Sequence, residues 1–169
     1  MTLAMGDAVA VALMENREFT AEHFRDFHPG GKLGARLSRV VDLMHVGDKL
    51  PLVTVDAPMP EALSEISRKG FGVVCVTEAN GDLAGIITMG DLARHLDGLM
   101  GMSAREVMTP GPVTIGPDEL AEKAVGVMNN CQITCLNVTD PGHADGKSPV
   151  GLLPIHDCPG VGHGAAGGG

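Results

Sequence analysis

Gly85-Ile86-Ile87-Thr88-Met89-Gly90-Asp91 is the stretch on which the fold turns. A short apolar run ends at a threonine, and an aspartate follows where a helix would begin, so the segment reads as a strand that runs directly into a helix. The pattern returns 66 residues later as Gly151-Leu152-Leu153-Pro154-Ile155-His156-Asp157. Further back, Ala62, Leu63 and Ile66 match Ala124, Val125 and Met128 at an offset of 62. Val74, Val76 and Thr77 match Leu136, Val138 and Thr139 at the same offset. Asp42-Leu43-Met44-His45 matches Glu106-Val107-Met108-Thr109 at an offset of 64. The chain is therefore a tandem repeat of about 55 residues per copy, with a longer loop, Asp140 to Pro149, in the second copy.

Each copy carries the same order of local signals. A short apolar stretch (Leu50–Val55; Val113–Ile115) precedes a Pro-rich helix start. In copy one Ala62, Leu63 and Ile66 share one helical face, Arg68-Lys69 occupy the last turn, and Gly70 ends it. The β-branched run Phe71–Thr77, a turn at Asn80-Gly81 and a strand Leu83–Ile87 predict a hairpin. A second helix is expected from about Gly90, with Leu92, Leu96 and Leu99 facing inward. The unit is β-α-β-β-α. One such copy would be marginal alone, so the two should pack together. The expected fold class is α+β built from α/β-type repeats, two β-α-β-β-α units packed as a pseudo-twofold pair.

Composition excludes several functions. Of 169 residues, 44% are hydrophobic and 20% charged, which is a folding composition. Aromatics are four Phe with no Tyr or Trp, so the core rests on aliphatics and ten Met; Met44, Met59, Met108 and Met128 read as core filler. Without aromatic platforms, and with a net charge of −9, the chain is poorly suited to base stacking and to a phosphate backbone, and no nucleic-acid partner is expected. Residues 1–41 are charge-balanced, with five Lys/Arg and five Asp/Glu, while residues 42–169 hold seven and sixteen. This break suggests two pieces of different origin. No stretch approaches the roughly 18 apolar residues of a membrane span, and the N-terminus lacks a signal-peptide pattern, so no membrane partner and a cytoplasmic location are expected. Cys75, Cys131, Cys135 and Cys158 suit that compartment as free thiols. The CxxxC spacing of Cys131 and Cys135, even with His156 near Cys158, is not that of a closed zinc site, and no metal is expected.

Thr88 and Asp91 admit two readings. An aspartate at a helix start can accept hydrogen bonds from both hydroxyls of a ribose, and a threonine hydroxyl beside free N–H groups suits a phosphate. Alternatively, Asp91 caps the helix and Thr88 ends the strand. His45 reads as a surface hydrogen-bonding residue or one facing the cleft, and His95 as a boundary residue.

The repeat, its order and its terminal motif resemble the tandem cystathionine β-synthase-type (CBS) domain module over residues 42–158. That family binds adenosine nucleotides and related ligands between its two repeats and commonly regulates an attached enzyme or transporter. The N-terminal run, with Phe19-Thr20-Ala21-Glu22-His23-Phe24 and the turn His28-Pro29-Gly30-Gly31-Lys32-Leu33-Gly34, is similar to the closing segment of the sugar-isomerase (SIS) domain of bacterial D-arabinose 5-phosphate isomerases. Those enzymes convert ribulose 5-phosphate to arabinose 5-phosphate for synthesis of the lipopolysaccharide sugar 3-deoxy-manno-octulosonate (Kdo). The implied organisation is an SIS remnant and linker over 1–41, CBS repeat 1 over 42–98, a linker over 99–105, CBS repeat 2 over 106–159, and a disordered Gly-rich tail over 160–169.

The resemblance implies further roles. His28 would be catalytic in an intact isomerase, where imidazole suits the proton transfer of aldose–ketose isomerisation. The rest of the SIS machinery would lie upstream, so this chain alone is expected to lack isomerase activity. A nucleotide ligand would meet Thr88, Met89, Asp91, Thr109, Val113, Ile133, Thr134 and Cys135, with its base against Val113 and Ile133. Pro154 replaces the hydroxyl-bearing residue in copy two, and Cys131 and Gln132 stand where relatives often carry basic residues, so one good site per chain is expected. No cofactor is required. The regulatory nucleotide would be AMP or ATP, or the activated sugar CMP-Kdo, whose carboxylate would need Arg94 or Lys69. Homodimerisation through the CBS helices is expected. Two other readings stay open: a pure assembly module with a vestigial ligand site, and an isomerase in the full-length chain only.

Overall fold

The computed structural model describes residues 37–142 and 147–161. In chain order these form α1 (Val40–Leu43), β1 (Leu52–Thr54), α2 (Met59–Lys69), β2 (Val73–Thr77), β3 (Leu83–Thr88), α3 (Met89–Arg94), α4 (Ala104–Val107), β4 (Thr109–Pro110), β5 (Thr114–Ile115), α5 (Ala121–Cys131), β6 (Cys135–Thr139) and β7 (Pro149–Pro154). Short 3-10 turns follow α1, α3 and β7. No helix of the described residues is long and apolar enough to cross a membrane.

The elements make two sheets, β1-β2-β3-β4 and β5-β6-β7. In each, the first strand runs parallel to the second (Val53 beside Val76; Ile115 beside Val138), and the second pairs antiparallel with the third (Cys75 beside Ile86; Asn137 beside Leu152). Both hairpins carry a register irregularity at the same place, between Val76 and Thr77 and between Val138 and Thr139. The Asn80-Gly81 turn closes with Gly81 at φ +91° and the Asn80 carboxamide oxygen accepting the Asp82 N–H.

Strand periodicity divides the core into three clusters. Val74 and Val76 of β2 pack with Met59, Ala62 and Ile66 of α2. Leu136 and Val138 of β6 pack with Ala124 and Met128 of α5. The alternate positions, Val73 and Cys75 of β2 and Cys135 of β6, meet between the repeats with Leu50 and Leu152, flanked by Phe71 and Ile86. β2 is therefore buried on both faces, which accounts for its unbroken run of apolar residues. Met59 and Met128 are fully buried, and Met44 and Met108 pack at the core edges.

The segment leading into each repeat belongs to the core of the other. Val40 joins the cluster of α5, β6 and β7, whereas Ala104 and Val107 join that of α2, β2 and β3. The Val40 and Val41 N–H groups donate to Glu119 and Pro117, and those of Ala104 and Arg105 donate to Ala57 and Val55. β4 extends the first sheet through Gly85 and Ile86, and His45 bridges Leu152 on the second.

This exchange explains the repeated tetrapeptide residue by residue. Asp42 and Glu106 accept the N–H of Arg39 and Ser103, capping α1 and α4. Leu43 and Val107 enter the other repeat's core. Met44 and Met108 lie over Gly151 and Gly85, where an added Cβ would meet their sulfurs at 2.5 Å. The fourth positions, His45 and Thr109, each bond to the aspartate of the other repeat's strand-to-helix turn.

Two expectations need correction. α3 ends at Arg94, His95 leaves helical geometry at φ −109°, and Gly98 turns at φ +83°. Leu92 and Leu99 are buried, but Leu96 falls on the outer side of this break and is 74% exposed. In the second copy the final helix is only the 3-10 turn Ile155–Asp157 among the described residues. His28 and the remainder of the N-terminal run lie outside the described residues, as do residues 162–169 of the tail.

Candidate functional site: a cleft between the repeats

A cleft of about 470 Å³ opens between the two sheets, within the size range of small-molecule sites. The first repeat contributes Phe71 and Ile86 and, from the strand-to-helix turn, Thr88 and Met89. Thr109 and Val113 line it from the segment leading into the second repeat. Ile133, Thr134 and Cys135 close the opposite wall from the start of β6. The cleft thus gathers seven of the residues singled out in the sequence. None of the described residues lining it is charged.

Asp91 stands behind this wall, not on it. It is 1% exposed, and its carboxylate is fully engaged. Oδ2 accepts the Thr88 N–H and hydroxyl, both at 2.7 Å, and Oδ1 accepts the Thr109 hydroxyl at 2.6 Å and the Arg94 guanidinium. Burial alone would push the carboxyl up; the bonds from Thr109 and Thr88, with the charge of Arg94, hold it below the usual value. The capping reading of Asp91 and Thr88 is realised, and the ligand reading is compatible with it. The two hydroxyls that donate to Asp91 belong to different repeats, and both threonines line the cleft.

The two cations proposed for a ligand carboxylate lie elsewhere. The Arg94 side chain is largely exposed and paired with Asp91. The Lys69 ammonium donates to the Asp48 carbonyl and sits beside Glu65.

The pseudo-twofold mate of the Thr109–Asp91 bond is His45–Asp157, with Nε2 2.7 Å from Oδ2. The His45 ring also tilts against Phe71 at a centroid distance of 4.8 Å. The surface hydrogen bond expected for His45 is present. His95 bonds through Nδ1 to the Asp91 carbonyl at the end of α3.

Sequence reasoning missed Asn137. It sits in mid-strand on β6, 1% exposed, and lines the cleft. Its Oδ1 accepts the Cys75 thiol at 2.7 Å, while its Nδ2 has no hydrogen-bond partner. The available signal was an asparagine, a residue depleted in strands, between Leu136 and Val138 in a run otherwise suited to a buried strand. Gln132 also lines the cleft, in the left-handed conformation at φ +55°.

The fold and this cleft define the class: the chain belongs to the CBS domain family, whose model matches residues 40–98 and 104–158. Over most of its length it is similar to one group of such proteins in particular. It is 44% identical to arabinose 5-phosphate isomerase KdsD of Escherichia coli (strain K12), over 92% of this chain and 47% of that protein. It is 45% identical to KdsD of Pseudomonas aeruginosa, over 93% of this chain and 48% of that protein. The chain thus spans about half the length of these curated relatives. Among solved structures, CBSX2 in complex with AMP matches with a TM-score of 0.60 and 24% identity, covering 71% of this chain and 92% of that one. The CBS domain pair of MJ0100 in complex with 5′-methylthioadenosine and S-adenosyl-L-methionine matches with a TM-score of 0.62 and 22% identity, covering 72% and 92%. These structural likenesses show the fold.

Proposed function

We propose that this chain is a nucleotide-sensing regulatory CBS pair of a D-arabinose 5-phosphate isomerase, with the ligand held between the repeats. The observation that carries the reading is the arrangement of Thr88, Thr109 and Asp91. A ribose entering the cleft can substitute its two hydroxyls for those of the threonines as donors to Asp91. Because Thr88 and Thr109 come from different repeats, that exchange would couple occupancy to how the repeats are joined. Val113 and Ile133 offer stiff branched walls for a base.

The uncharged lining favours a ligand with a single phosphate, AMP before ATP. CMP-Kdo is the second reading, supported by the similarity to the KdsD proteins; its additional carboxylate would have to recruit Arg94, since Lys69 is engaged away from the cleft. Isomerase activity belongs, in this reading, to a longer chain in which His28 is catalytic. The exposed Leu96 and Met100 beyond α3 support homodimerisation through the helices.

Calorimetric titration of the purified chain with AMP, ATP and CMP-Kdo tests the proposal. Binding that Asp91→Ala abolishes without altering the mass measured by light scattering is the expected result. AMP binding with no CMP-Kdo signal selects the adenine ligand. No binding by any of the three would overturn sensing and leave the assembly reading. Turnover of ribulose 5-phosphate by this chain would refute the regulatory assignment.

A further inference from the structure

We propose that Asn137 is the base-reading residue of the cleft, its Nδ2 donating a hydrogen bond to a ring nitrogen or carbonyl acceptor on the buried edge of the ligand. This rests on the nucleotide reading above and adds the group that would set its specificity. Three observations carry it. Asn137 lines the cleft yet is 1% exposed, so it forms part of the floor and not the rim. Its Nδ2 is a buried donor without a partner, a state that costs free energy and that native proteins rarely leave unexplained. Oδ1 accepts the Cys75 thiol from the facing sheet at 2.7 Å, which leaves Nδ2 as the unpaired group; turned over, the amide would face the sulfur, a weak acceptor, with Nδ2 and leave Oδ1 unpaired instead.

The pseudo-twofold sharpens the assignment. Cys75 and Asn137 are equivalent positions, 62 residues apart, so a symmetric pair of cysteines or of apolar residues would have sufficed for packing alone. The carboxamide makes the cleft asymmetric and gives it a donor at the floor. With no charged side chain in the lining, this donor and the threonine hydroxyls are the means of selecting among neutral bases. A ligand that offers an acceptor relieves the orphan group; one that offers only C–H there leaves it unpaired, which is how a polar floor discriminates.

The test uses the intact chain and calorimetry with AMP, CMP and the 1-, 3- and 7-deaza analogues of AMP, each of which replaces one ring nitrogen acceptor by C–H. The wild-type chain should bind one of the two parent nucleotides. For a purine, one deaza analogue should bind about tenfold more weakly or worse while the other two change little. In Asn137→Leu and Asn137→Cys, the latter importing the residue used at the equivalent position, the parent should weaken by a similar factor and the difference between parent and deaza analogue should vanish. If CMP is the nucleotide bound, the same two variants should weaken it by that factor. Failure of the wild-type chain to bind either parent overturns this inference; where ATP and CMP-Kdo also fail to bind, the nucleotide reading falls with it. Undiminished parent binding in both variants, or a deaza profile unchanged by the substitutions, overturns this inference alone. The deaza series needs no substitution, so a poorly folding variant does not remove the test.

Discussion

The Thr109 hydroxyl donates to Asp91 Oδ1 at 2.6 Å, tying the segment that leads into the second repeat to the first helical turn of the first. The same carboxylate takes two further bonds from Thr88 and one from Arg94, and it lies below its ordinary pKa despite burial that would raise it. A group whose folded pKa is depressed stabilises the fold fully above its unfolded pKa and loses that contribution as pH falls through the folded value. We expect Asp91→Asn to cost about 1–3 kcal/mol near neutral pH, through its lost charge-assisted bonds. The gap to wild type should narrow as pH drops below the ordinary carboxylate range. Urea unfolding of both chains across that range measures it, and a gap independent of pH would refute the role given to Asp91.

His45 and Asp157 occupy the mirrored position but are partly exposed, so screening should reduce their worth. Asp157→Asn is expected to cost about 1 kcal/mol or less, with a difference that shrinks further in high salt. Thermal melts at low and high ionic strength, run beside the Asp91 variant, make the comparison. Equal costs at the two aspartates would show that burial is not what separates them.

Gly85 and Gly151 are both covered by a methionine of the opposite lead-in segment, but their surroundings differ. At Gly85 an added Cβ would also meet the Thr109 carbonyl at 2.8 Å, whereas at Gly151 the nearest carbonyl, of His45, is 3.3 Å away. Backbone yields less readily than a methionine side chain. Gly85→Ala should therefore destabilise by about 1–3 kcal/mol, and Gly151→Ala by less. Adding Met44→Ala to Gly151→Ala should recover part of the clash, while adding Met108→Ala to Gly85→Ala should recover little. Denaturant midpoints of the four variants report this.

Gln132 ends α5 at φ +55°, where its counterpart Gly70 ends α2 at φ +77°. A side chain in this region costs free energy that glycine does not incur. Gln132→Gly is expected to raise stability by several tenths to about 1 kcal/mol. A lower melting temperature in that variant would mean that the glutamine side chain makes up for its backbone.

The four thiols should separate cleanly by reactivity. Cys131 is exposed, whereas burial pushes Cys75 up to about 12 and Cys158 up to about 11, and raises Cys135 as well. A chromogenic disulfide reagent should titrate one thiol rapidly in the folded chain and the other three only as it unfolds. Rapid reaction of Cys75 would contradict the closed packing between the repeats.

Most of the fold was legible because its signals are local or repeated. The β2 and β6 runs, the helix face of Ala62 and Ile66, and the strand-to-helix turn at Thr88 announce themselves by period and punctuation. Leu96 was misplaced because the helical period continues through His95 and Asp97, while the break depends on backbone geometry that the period does not register. The exchange of lead-in segments was invisible for a different reason. The matching tetrapeptides Asp42–His45 and Glu106–Thr109 show that two segments are alike, not which core each enters. Within the site, Thr88 came from a motif, and Thr109 and Ile133 from the family resemblance, whereas Asn137 owes its role to a partner 62 residues away and to a cavity that only packing creates.

The crossed lead-ins also set an order of assembly on the ribosome. The first core is complete once Val107 has emerged, because every other member of its cluster precedes it. Val40, made far earlier, must wait for Ile115 before the next member of its cluster appears and for Cys158 before that cluster is complete. A nascent chain halted between the repeats would carry one finished half and a bare N-terminal segment. Residues 38–45 are thus among the first described residues to be synthesised and among the last to find their place.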